Sequence, residues 1–107
     1  MSYTVRISED AELDIYEIAL FVAKNNSPER ANELVDDIMD RCVSISSAPE
    51  IGHIPSELEY LSIKSHLQIH FKPYRIISRI DGRTIWIDCV LDGRRDLDEL
   101  LQRRLIR

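Results

Sequence analysis

The 107-residue sequence predicts an α+β fold: an N-terminal strand, an antiparallel helical hairpin, a three-stranded antiparallel meander completing one sheet, and a short C-terminal helix. Three observations carry this expectation. Two segments in the first half repeat apolar residues at helical spacing, three alternating runs crowd together between residues 66 and 91, and turn residues separate them. Helices are thereby segregated from most strands, which is the α+β order. With no linker, repeat or low-complexity stretch, residues 1–107 read as a single domain.

The opening YTVRIS alternates Tyr3, Val5 and Ile7 with Thr4, Arg6 and Ser8, the period of a half-buried strand. Ser8 then stands as an N-cap, and Glu9 and Asp10 fall where the positive end of a helix dipole favours acids. Ala11, Ile15, Ile18 and Val22 extend this helix over 9–24, and Asn25-Asn26 stops it. Ser27-Pro28-Glu29 starts a second helix in the order cap, proline, acid, with Ala31, Leu34, Val35, Ile38, Cys42 and Ile45 as its apolar stripe. So short a connection makes the two helices antiparallel neighbours. Between Ser47 and Ser65 no period is sustained, and a loop with one helical turn is expected.

HLQIHF, YRIISRI and TIWIDCVL are the meander strands, turned at Lys72-Pro73 and Asp81-Gly82-Arg83. Strict alternation would send Leu67, Ile69, Phe71, Ile76, Ile80, Ile85, Ile87, Cys89 and Leu91 toward the helices. The opposite face would then mix His66, Gln68, His70, Arg75, Ile77, Arg79, Trp86, Asp88 and Val90. After Gly93, which could give the chain freedom at the corner, Leu97, Leu100, Leu101 and Leu105 recur as the stripe of a last helix.

Composition excludes several classes. A chain 44% hydrophobic and 31% charged folds, and no apolar run approaches the ~18 residues of a membrane span, so a cytoplasmic protein is expected. Cys42 and Cys89 sit in apolar surroundings without CxxC or Cys/His spacing and read as reduced core residues. The net charge of -5 divides unevenly: residues 1–50 carry 4 basic against 11 acidic residues, the remainder 10 against 8. An anionic target would have to meet the second half, and the overall balance speaks against strong nonspecific nucleic-acid binding.

Known catalytic spacings are mostly missing: no glycine-rich phosphate loop, HExxH or serine-nucleophile motif is present. His66 and His70 on one strand would lie roughly 13 Å apart, too far to share a metal, and no metal or cofactor is expected. Either histidine could serve acid–base chemistry, although a solvent-facing sheet histidine has the simpler explanation. Arg75 and Arg79 on the same face could hold a phosphate or merely keep the face soluble. Trp86, the single tryptophan, suits a partner contact or a cover under the last helix.

The ordered set AELDIYEIALFVA, SPERANELVDDI, SAPEIGH and YRIISRIDGRTIWIDCVLDGRRDLDELLQRRL resembles the RelE/ParE superfamily of bacterial toxins from toxin–antitoxin modules, with the ParE branch the closer match. The resemblance spans essentially the whole chain. It implies a compact toxin neutralised by a cognate antitoxin; ParE-like members poison DNA gyrase, and RelE-like members cut mRNA on the ribosome. By this resemblance the ribonuclease branch's tyrosine–arginine pair falls on Tyr74-Arg75 and its second arginine near Arg95. Its strand lysines fall on His66 and Gln68, and its C-terminal catalytic tyrosine is missing from Leu97 to Leu105. The ParE branch commonly places a histidine before Gly-x-Arg-Asp, where this chain has Asp92.

The resulting expectation is a ParE-like gyrase inhibitor acting by protein contact, with Arg75, Arg79, Trp86, Arg94 and Arg95 as contact candidates. The enzyme alternative is a ribosome-dependent mRNA endonuclease using Arg75, Arg95, His66 and His70. A third alternative is a degenerate, non-toxic module that only binds an antitoxin. Under each reading an amphipathic antitoxin segment is expected along the helical hairpin or across the open sheet face. The sequence leaves a homodimer open.

Overall fold

The structure, a computed structural model, describes residues 3–59, 62, 64–94 and 98–106. Strand β1 (Thr4–Ile7) leads into helices α1 (Glu9–Asn25) and α2 (Pro28–Ser44), the latter running into a 3-10 turn at Ile45–Ser47. A four-residue helix α3 (Ser56–Glu59) precedes the meander of β2 (Leu67–Phe71), β3 (Tyr74–Asp81) and β4 (Thr84–Asp92), and α4 (Asp98–Ile106) ends the chain. The expected element order is observed throughout.

Both helix starts use the expected caps. Ser8 Oγ accepts the Ala11 N–H at 3.1 Å, and Ser27 Oγ accepts that of Arg30 at 3.0 Å with Pro28 beginning the helix. The sheet runs β1-β4-β3-β2: the meander is antiparallel, and β1 adds to β4 in parallel. Parallel addition follows from the long helical crossover between β1 and the meander.

Ala11, Ile15, Ile38, Cys42 and Ile45 of the hairpin bury against Ile69, Ile76, Ile85, Ile87 and Val90 of the sheet. On the other face, Ile77, Cys89 and Leu91 form a second cluster with Leu101 of α4, flanked by Leu100 and Leu105. This corrects the strict alternation expected for β4, because Cys89 and Leu91 exchange faces with Val90. The cause is a β-bulge: Ile77 pairs with Cys89 but Ser78 with Ile87, so Asp88 is an extra residue that shifts the alternation. Ile80, expected inward, lies at the strand end and is 40% exposed.

Gly93 also differs from expectation. No left-handed backbone distinguishes it; rather, a Cβ there would stand 3.0 Å from both the Pro73 carbonyl oxygen and Arg75 Cγ. The corner needs glycine for close approach, and the Gly93 N–H donates to Pro73 O at 2.8 Å.

Candidate functional site

The bulge and the two faces decide where the charged side chains go. Arg75, His66, Gln68, Arg79 and Asp88 meet on the face away from the hairpin, as expected, but they divide into two separate networks.

The first surrounds Arg75, which β3 projects beneath α3. Its Nη1 and Nη2 donate to Glu57 Oε2 and Oε1 at 2.7 and 2.6 Å, a bidentate pair, while Nε donates to Gln68 Oε1 at 2.8 Å. A further Nη2 contact reaches the same Gln68 oxygen. Since that oxygen serves Arg75, the Gln68 amide N–H2 turns to His70 Nε2 at 3.2 Å and makes it an acceptor. The His53 ring lies 5.5 Å from that of His70, on a loop tied to β2 by paired backbone bonds between His53 and Gln68. Arg75 is 9% exposed, and its guanidinium beside Glu57 holds that carboxyl below its ordinary value.

The second network centres on Asp88. Its Oδ2 accepts from His66 Nε2 at 3.1 Å and Arg79 Nε at 2.9 Å, and Ser65 Oγ lies 2.8 Å from His66 Nδ1. The proton order is hydroxyl to imidazole to carboxylate. Because His66 and Arg79 share one carboxylate oxygen of Asp88, the cluster ties β3 to β4 as a strut. His66, expected to face solvent, is 5% exposed because a carboxylate and a hydroxyl satisfy both ring nitrogens. The Arg79 guanidinium also lies 5.7 Å from the centre of the half-buried Trp86 ring, a cation–π distance.

At the chain corner Arg94 folds back on Asp92: its backbone N–H and Nε donate to Oδ1 at 2.9 and 3.0 Å, and Nη2 to Oδ2 at 2.7 Å. Arg95 lies outside the described residues. A fourth arginine, Arg104 of α4, donates to Asp14 Oδ1 at 3.0 Å and to the Asp88 carbonyl at 2.9 Å. Asp14 Oδ2 in turn accepts the Val90 N–H at 3.0 Å, capping β4 where β1 has ended. Burial pushes the Asp14 carboxyl above its ordinary value even so.

Chemically the arrangement is poor in free cation. Arg75, Arg79, Arg94 and Arg104 each meet a carboxylate of this chain, at 2.6, 2.9, 2.7 and 3.0 Å. A phosphate would have to displace those carboxylates to gain a charge-assisted bond. Among the described residues, no three His, Cys, Asp or Glu side chains converge as a metal site, and burial pushes the Cys42 and Cys89 thiols up to about 11 and about 12. Both thiols are therefore poor nucleophiles and ligands.

The profile of the ParE toxin of type II toxin-antitoxin system, parDE, matches residues 5–97. The chain belongs to the ParE toxin family. Its fold matches that of a chain in the chromosomal ParDE toxin–antitoxin system of P. aeruginosa, with TM-score 0.72, 19% identity, and coverage of 84% of this chain and 95% of that one. It also matches a chain of the toxin–antitoxin complex RelBE2 from Mycobacterium tuberculosis, with TM-score 0.61, 21% identity, and coverage of 86% of this chain and 92% of that one. No curated protein sequence matches. The chain is thus a ParE-family toxin of the type II class on a RelE/ParE-like fold, and no helix among the described residues is long and apolar enough to cross a membrane.

Sequence reasoning missed Glu57, Asp14 and Arg104. Glu57 sits in an aperiodic loop, and the Asp14–Arg104 pair joins residues ninety apart. Asp88 carried a usable signal: an acid inside IWIDCVL must find partners if that strand is buried.

Proposed function

We propose that this ParE-family protein inhibits a type II topoisomerase, DNA gyrase, by protein–protein binding and is neutralised by a cognate antitoxin. The observation that carries this reading is the internal neutralisation of Arg75 by Glu57. A ribonuclease needs cations free to meet the developing phosphorane charge and groups free to move protons. Here Arg75 is engaged by a carboxylate, and both ring nitrogens of His66 are occupied. These contacts weigh against the mRNA-endonuclease alternative and leave a contact surface, in which the Arg79–Trp86 pair offers residue types that dominate protein interfaces.

The test is purified protein with gyrase and relaxed or supercoiled plasmid. Inhibited supercoiling or accumulated cleavage complex is expected at stoichiometric excess, and neither appearing would remove the gyrase assignment. Absence of growth arrest on overexpression, with antitoxin binding retained, would instead favour the non-toxic module.

A further inference from the structure

The Ser65–His66–Asp88 chain has a chemical capacity that tying strands together does not use. Asp88 Oδ2 already accepts from Arg79 Nε at 2.9 Å, so it is an acceptor toward His66 Nε2 as well, and that nitrogen carries the ring proton. The ring's lone pair is then on Nδ1, 2.8 Å from Ser65 Oγ, where it accepts the serine hydroxyl. The imidazole is buried and the carboxylate half-buried, while Ser65 is exposed. An exposed hydroxyl thus rests on a buried, oriented imidazole, the arrangement of an activated nucleophile. The two ring nitrogens exchange the places they hold in a serine hydrolase, but the proton path from hydroxyl to imidazole, with a carboxylate behind it, is the same.

Ser65 opens into a hollow of about 420 Å³. Leu67 and Ile80 give it an apolar wall, and Lys64 and Arg79 bring two cations to it, against the exposed carboxylate of Glu50. Such a space accommodates a small acyl group on the wall with its carbonyl oxygen turned toward the cations.

We propose that Ser65 is the nucleophile of a slow esterase site for small carboxylic esters, with His66 as its general base and Asp88 as the positioning residue. Ser65 Oγ attacks the ester carbonyl carbon as its proton passes to His66 Nδ1, and the oxyanion is met by Lys64 and Arg79. Collapse breaks the bond from the acyl carbon to the alcohol oxygen; the departing alkoxide takes the proton from Nδ1, and Ser65 is left acylated. Water then attacks the acyl carbon, its proton passes through Nδ1 to Ser65 Oγ, and the carboxylic acid leaves. Because the base is committed to Ser65 and not offered to an RNA 2′-hydroxyl, this activity goes beyond the proposed function and does not depend on it.

The probe is p-nitrophenyl acetate with the full chain at about pH 8, where an ordinary imidazole is neutral. An acetyl group on Ser65, located by mass spectrometry, is expected together with a burst of p-nitrophenolate stoichiometric with the chain. Ser65 is exposed, so Ser65→Ala keeps the fold and should abolish the burst. His66→Gln, once circular dichroism shows it folded, should slow acetylation of Ser65 at least about a hundredfold. Nitrogen NMR of the histidine rings supplies a readout that needs no variant: His66 should be the Nε2–H tautomer. In folded Asp88→Asn part of His66 should pass to the Nδ1–H tautomer, with acetylation slowed to match, which a merely structural role for Asp88 would not produce. Acetylation confined to other residues overturns the proposal, as does Ser65 acetylation unchanged in folded His66→Gln. A proton on His66 Nδ1 in the wild-type protein at about pH 8 overturns it too, since the serine would then face a donor.

Discussion

Glu57→Gln isolates the contact on which the functional reading turns. The Arg75 and Glu57 side chains are 11% and 9% exposed, so loss of the carboxylate charge strands a buried guanidinium among neutral partners. Breaking a buried pair by removing one member costs about 3–5 kcal/mol. Glutamine keeps one oxygen acceptor and Gln68 still accepts from Nε, so the expected loss is nearer about 2–3 kcal/mol, or roughly 10–20 °C in Tm for a domain of this size. Adding Arg75→Met should restore much of it, because the stranded charge disappears.

The same pair has a pH signature. Arg75 holds the Glu57 carboxyl below its ordinary value of 4.5. A depressed carboxyl contributes stability that is present above the unfolded-state value and lost as pH falls through the folded-state one. The wild-type protein should therefore lose its advantage over Glu57→Gln progressively as pH falls below 4.5. Urea denaturation at pH 7 and across the acid range measures both effects. A variant within about 0.5 kcal/mol of wild type at pH 7, or a gap that fails to shrink in acid, would refute the reasoning.

Asp88→Asn weakens two bonds at once, to Arg79 and to buried His66, and should cost about 1.5–3 kcal/mol by calorimetry. Gly52→Ala should be worse than a typical loop change: Gly52 has φ +99°, and a Cβ there would stand 2.2 Å from the Gln68 carbonyl oxygen. A loss above about 2 kcal/mol in chemical denaturation is expected. Arg104→Met removes the partner of Asp14, whose carboxyl burial already pushes up. Because a raised carboxyl favours the fold when protonated, this variant should be destabilised at pH 7 and recover partly as acidification protonates Asp14. Faster hydrogen exchange at Val90, whose N–H Asp14 caps, is the accompanying readout.

Elements were legible where local chemistry determines them. Ser8 and Ser27-Pro28 announce helix starts through side-chain capping and a pre-set backbone angle, and the 3.6-residue stripe of α2 needs no tertiary information. The faces of β4 were legible only as far as Asp88, since a bulge is a property of two strands in register and leaves no mark on either alone. Arg75, His66, Arg79 and Trp86 were legible as residues that share a face, yet their state was not. Whether an arginine greets solvent or a carboxylate depends on a partner such as Glu57, eighteen residues away in a segment without period. The exposure of Leu13, Tyr16, Leu20 and Phe21 on α1 became visible only once the buried residues were accounted for.

The most direct test of the central idea, that this protein works by contact and not by cutting RNA, is the map of new mRNA 5′ ends in a translating extract with and without the purified protein. No protein-dependent cleavage is expected at amounts that inhibit gyrase supercoiling. Codon-phased cleavage that disappears with Arg75→Ala would contradict it.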